Sequence, residues 1–187
     1  MSSRFGPRAV GTDGSDFTHR QKVARHYKES VLNKFRLKFT LVLHVLILSL
    51  IIVKIFLDGV SQNFGIYAKA KIPHTELWEC WWTLSVVSLV LAYSSFARNN
   101  EYRMRLSYYG LVIFALIPLA FGAGSKLPEL IRYVKGGDAR LFCGFPLVVL
   151  WYIFFAVAFQ VHWFTMYFEA QLVKAWLPVK TVKPKGD

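Results

Sequence analysis

The chain has 187 residues, 55% of them hydrophobic, 17% aromatic and 18% charged, with a formal net charge of +12 and two cysteines. Soluble domains carry about 25% charged residues, disordered chains are poor in aromatics, and two cysteines cannot build a disulfide scaffold. The length excludes a large multidomain enzyme, and the basic excess lies between apolar runs, as in loops that face anionic headgroups, rather than in a patch suited to nucleic acid.

Residues 1–17 are rich in Gly, Ser and Pro and predict a flexible cytosolic N-terminus. The residues Thr18 to Gln21 read as a capping box that opens a helix over 18–36. Behind it Val23, Tyr27, Val31 and Phe35 recur every four residues, with basic residues around them. This is the pattern of a basic amphipathic helix at the cytosolic headgroups. Arg20, Lys22, Arg25 and Lys28 are its candidate contacts for anionic lipid or a partner. The plainer alternative is an anchor that only fixes topology.

Four apolar stretches follow, over about 37–57, 77–97, 106–125 and 141–168. A helix needs about 20 apolar residues to cross a hydrocarbon core of about 30 Å. Lipid offers no hydrogen bonds, and none of the runs alternates as a barrel strand does, so helices are required. The expected fold is an all-α membrane protein whose domain, 37–168, holds four transmembrane helices. The fourth exceeds one core and should tilt or project. No cleavable leader is expected, because the first apolar run follows more than thirty largely polar residues. Sixteen Lys and Arg fall on one side of these spans and six on the other, which predicts that the N- and C-termini are both cytosolic.

Ionisable groups inside spans are functional candidates by default. Lys54 and Glu79 fall at similar luminal depth and either pair or snorkel separately; His44 and His162 match in depth near the cytosolic ends. These four could serve a small channel or transporter, and the two histidines a metal or haem if the first and fourth helices touch. Structural roles are the competing reading, and no metal site or cofactor is expected. Cys80 and Cys143 lie near the luminal face, either paired or as buried thiols. Pro118 should kink the third span, and Gly110, Ala115, Gly122 and Gly124 allow close helix approach. Trp78, Trp81 and Trp82 read as a luminal aromatic belt, and Trp163, Tyr167 and Trp176 as a cytosolic one. The segment from Leu127 to Gly137, with an early Pro and late Gly, predicts a short luminal helix.

The cytosolic tail, 169–187, ends in Lys183-Pro184-Lys185-Gly186-Asp187. Lysines third and fifth from a carboxylate form a K-x-K-x-x ending of the kind that the retrograde COPI coat reads as a retrieval signal, an address rather than an anchor. No hydrolase, Walker, zinc-protease or C-x-x-C motif occurs, and no pair of carboxylates shares a span, so no enzymatic activity is expected.

Several segments are similar to the Jagunal family: GPRAVGTDGSDFTHRQKVARHY near the start, Lys34 to Lys38 before the first span, Phe96 to Asn100, Pro118 to Gly122, and Gln160 to His162. The resemblance implies a non-enzymatic four-pass protein of the endoplasmic reticulum membrane. It further implies roles in endoplasmic reticulum organisation and early secretory vesicle transport, with contact to the COPI coat. Lys183 and Lys185 are separated here by Pro184, where members often end in a run of lysines. A homo-oligomer is compatible with the sequence, and no nucleic-acid partner is implied.

Overall fold

The computed structural model describes residues 15–64 and 72–177, with the side chains of 15, 16, 18, 19, 22 and 26 outside the description. The helix α1 runs unbroken over Ser15–Phe64. At about 1.5 Å per residue it is about 75 Å long, more than twice a bilayer core. The helix includes Ser15–Phe17, ahead of the predicted opening at Thr18, and the basic segment continues without a break into the first apolar run. Nothing in the intervening sequence KFRLKFT is a helix breaker, so hydrogen bonding propagates through it. Val23, Tyr27, Val31 and Phe35 are all exposed on α1.

The second apolar run is divided into α2, Leu77–Thr83, and α3, Val86–Ser95. Between them the amides of Leu84 and Ser85 bond back three residues, to the carbonyls of Trp81 and Trp82. The Thr83 hydroxyl donates to the Cys80 carbonyl at 2.7 Å. Such back-bonding by short hydroxyl side chains competes with the helical ladder and bends it. Neither half is long enough to cross a bilayer alone. Among the described residues three helical segments are long and apolar enough: within α1, over Glu101–Val134, and over Leu147–Trp176.

The Glu101–Val134 segment joins α4, Glu101–Leu111, a π-helical turn at Val112–Leu116, and α5, Ile117–Val134. Proline lacks an N–H and its ring crowds the preceding turn. The wider turn directly before Pro118 is where the ladder absorbs that defect. Pro128 lies inside α5, so the expected separate luminal helix is instead the last part of α5. It ends in a Schellman arrangement, with Gly136 at φ +82° and the Gly137 amide bonded to the Arg132 carbonyl at 3.0 Å.

A small hairpin follows, pairing β1, Leu141–Phe142, with β2, Phe145–Pro146. Its turn residues, Cys143 at φ +51° and Gly144 at φ +83°, have the positive pair of a type I′ turn. The last helix, α6, therefore begins at Leu147 rather than 141 and extends to Trp176, past the expected end at 168.

Four antiparallel segments form the bundle. Ser30 meets Trp176, His44 meets His162, and Lys54 meets Trp151, so α6 runs against α1. On another side α6 faces Ser107 of α4 and Ala123 of α5. The core holds Leu37, Leu48, Trp78, Trp82, Met104, Leu111 and Leu172. Trp78 and Trp82 thus leave the expected luminal belt for the interior, and Trp81 alone of that trio stays on the surface. Gly122 makes this fit, since a Cβ there would come within 2.7 Å of the Trp78 ring, whereas Gly124 has open space around it. Cys80 and Cys143 are unpaired and exposed, not buried.

Candidate functional site

Among the described residues the buried ionisable side chains stand in three layers along the bundle. The first joins α1 to α2 and the loop before it. Lys54 Nζ lies 2.7 and 2.9 Å from the two oxygens of Glu79 and donates to the His74 carbonyl at 2.9 Å. The ammonium also sits 5.8 Å from the Trp151 ring centroid, a cation–π distance. Glu79 is fully buried, so the matching depths read from the sequence correspond to a real ion pair. Beside it the Asp58 carboxylate accepts from the Thr75 amide at 2.7 Å and from Gln62 at 2.8 Å. Glu76 pairs with Lys126 of α5 and accepts from the Trp78 indole at 3.0 Å.

The second layer lies between α1, α2, α6 and the turn after α2. His44 and His162 are both fully buried, with ring centroids 4.4 Å apart at 76°. His44 Nε2 is 2.9 Å from Ser85 Oγ, and the Trp82 indole donates to His162 Nε2 at 3.2 Å. Each Nε2 is therefore committed. A metal between the rings would have at most two Nδ1 ligands, fewer than the three or four protein ligands of zinc sites. Among the described residues no group of three or more His, Cys, Asp or Glu stands close enough to hold an ion.

The third layer was missed at the sequence level. Glu169 of α6 is fully buried, with its Oε1 2.6 Å from the Ser107 hydroxyl oxygen of α4, which also lies 2.9 Å from the Ser88 carbonyl. Glu169 lies one residue beyond the expected fourth span and was grouped with the tail. Its spacing of seven from His162, with buried Thr165 between, places it on the same helix face and was the signal available. Among the described residues no hydrogen bond joins one layer to the next. Each layer fastens different helices, and His44 Nδ1, His162 Nδ1 and Glu169 Oε2 have no hydrogen-bond partner among the described residues.

The remaining candidates stand apart from these layers. Arg20 and Lys28 are exposed on α1, and Arg25 bonds Glu29 one turn on at 3.2 Å. The Lys22 side chain, Lys183 and Lys185 lie outside the described residues. Of the cytosolic belt, Trp163 and Tyr167 are exposed, while Trp176 is partly buried and donates to Ser30 at 3.1 Å.

The family model described as "Jagunal, ER re-organisation during oogenesis" matches residues 1–180. The chain belongs to the Jagunal family. It is 44% identical over 188 residues to a protein jagunal homolog of Caenorhabditis briggsae, covering 96% of this chain and 99% of that one. It is 35% identical to protein jagunal of Drosophila melanogaster, covering 94% and 95%. Protein jagunal homolog 1 of Mus musculus is 34% identical, with 94% of each chain covered. Family and long apolar helices together fit a membrane protein of the endoplasmic reticulum.

The segments that carry the Jagunal resemblance occupy structural joints. In the turn Phe96 to Asn100, Asn99 takes φ +48°, which asparagine tolerates better than most residues. Asn100 caps α4 by accepting from the Arg103 amide at 3.0 Å. Lys34 of α1 reaches across to bond Asn99, and Lys38 lies 5.8 Å from the Phe96 ring centroid. The Jagunal-like Lys34-to-Lys38 segment is thus a clamp on the turn between α3 and α4.

Proposed function

We propose that this Jagunal protein is a non-enzymatic, four-pass organiser of the endoplasmic reticulum membrane that supports vesicle transport in the early secretory pathway. The observation that carries the reading is the family match over residues 1–180, to a family described by reorganisation of that organelle. The bonding of Lys54 to Glu79 and of His44 to Ser85, each fastening one segment to another, supports a scaffold over a transporter. In the proposed topology α1, the pair α2–α3, the run from α4 to α5, and α6 each cross the bilayer. Both termini emerge in the cytosol, on the side where most basic residues lie.

The basic part of α1, with Arg20, Lys22, Arg25 and Lys28, meets anionic headgroups or a partner, and Lys183 and Lys185 engage the COPI coat. The match in composition supports the tail assignment: two ammonium groups at fixed spacing beside a carboxylate suit acidic receptor pockets. Substituting Lys183→Ser and Lys185→Ser together in a tagged full-length protein should move it past the early Golgi. Unchanged localisation by microscopy removes the retrieval signal from this reading.

A further inference from the structure

Three apolar grooves of similar form lie on the outside of the bundle, and they differ in charge. The groove between α5 and α6, about 520 Å³, has no charged residue in its wall. The groove at the far end of the α1–α6 seam, about 390 Å³, includes Lys54, whose charge is already matched by Glu79. The third, about 600 Å³, lies between α1 and α6 from Arg36 and Phe168 down to Ile47 and Val157. Its volume is within the range of about 300–1,000 Å³ usual for ligand clefts. The span from Arg36 to Ile47 is about 16 Å at 1.5 Å per residue, about half of a hydrocarbon core. The groove therefore has the reach of one leaflet.

Arg36 stands at the rim with its guanidinium 6.0 Å from the Phe168 ring centroid. No carboxylate bonds it among the described residues. Its neighbours differ: Lys34 bonds Asn99 and the Phe96 carbonyl, and Lys38 lies over the Phe96 ring. An uncompensated, forked cation above an apolar slot of single-leaflet length fits an amphiphile with an anionic head.

We infer that this groove seats one anionic phospholipid, with its headgroup on Arg36 and one acyl chain along Leu43, Ile47, Val157 and Phe164. A second copy of the chain fits the rim less well. Among the described residues the carboxylates toward this end, Glu29 and Glu101, are held by Arg25 and Arg105. Docked copies would therefore oppose basic surfaces. Gln160 at the deep end has no hydrogen bond among the described residues, and a helix from a second copy would seek its amide, so it enters the test. The inference rests on α1 and α6 lying in the membrane and is independent of the Lys183–Lys185 tail, whose failure would leave the seat untouched.

The test uses the full chain in nanodiscs of phosphatidylcholine with a minor fraction of phosphatidylserine, released into mild detergent for native mass spectrometry. Wild type should retain one phosphatidylserine per chain in preference to phosphatidylcholine. Arg36→Gln, which breaks no hydrogen bond or ion pair among the described residues, should lower that retention about five-fold. Val157→Trp, which fills the slot from an exposed position, should lower it with Arg36 present. Arg103→Gln, a cation outside the groove, should leave it unchanged. Equal retention of the two lipids overturns the seat, as does a loss with Arg103→Gln equal to that with Arg36→Gln. A protein dimer that Gln160→Leu disperses, in place of a lipid adduct, overturns it as well.

Discussion

The Lys54–Glu79 pair shows how a charge is tolerated inside this bundle. Glu79 has no exposure, and its two oxygens share one ammonium, which the His74 carbonyl also holds. Removing one partner of a buried pair leaves the other uncompensated, at a cost of about 3–5 kcal/mol, while removing both is often near neutral. Lys54 retains some exposure, so Lys54→Met should cost about 3 kcal/mol, and the double change Lys54→Met with Glu79→Leu much less. Thermal unfolding in detergent reads both; equal losses for the single and double variants would count against the pair as a fastener. The histidine layer gives a sharper chemical expectation. An indole N–H only donates, so His162 Nε2 accepts from Trp82 and the ring proton resides on Nδ1. Nitrogen-15 NMR of labelled histidine should show that tautomer, and Trp82→Phe should abolish the preference at a cost of about 1 kcal/mol. A protonated Nε2 in the wild type contradicts the bond.

Among the elements, the helix joints depend on small or unusual residues. Trp78 occupies the space that the missing Cβ of Gly122 leaves, and stacks edge-on against Trp151 and Phe155. Overpacking a fitted interior costs about 1–3 kcal/mol, so Gly122→Val should lower the melting temperature, whereas Gly124→Val, facing open space, should not. Similar loss at both positions would show that helix propensity rather than packing sets the effect. These joints mark what the sequence could tell. The long apolar runs were legible because a bilayer-length stretch has little alternative to a helix. The break at Leu84 and Ser85 was not, because no Pro or Gly announces it; it arises from hydroxyl back-bonding and from the reach of Ser85 to His44. The hairpin at 141–146 was absorbed into a hydropathy window although Gly144 and Pro146 stood within it.

At the scale of the whole molecule, α6 is the shared wall, contacting both α1 and the α4–α5 run. Hydrophobic burial does not distinguish helix from lipid, so bundle association in a membrane depends on close packing and on polar fasteners. That is why the depth matching of Lys54 with Glu79 and of His44 with His162 could be read from the sequence, while the direction of Trp78 and Trp82 could not. Aromatics at the end of an apolar run satisfy a belt as well as a core, and only the partner helices decide. Glu169 was not legible because the apolar run ends one residue short of it, although its face is that of His162.

Coat contact through Lys183 and Lys185 requires a cytosolic C-terminus, and the proposed four-pass arrangement puts the N-terminus on the same side. The direct measurement is protease protection of the full chain in sealed microsomes, with an epitope at each end. Both epitopes should vanish when protease is added outside, before any permeabilisation. A C-terminal epitope that survives until detergent is added would contradict the four-pass arrangement and the trafficking role built on it.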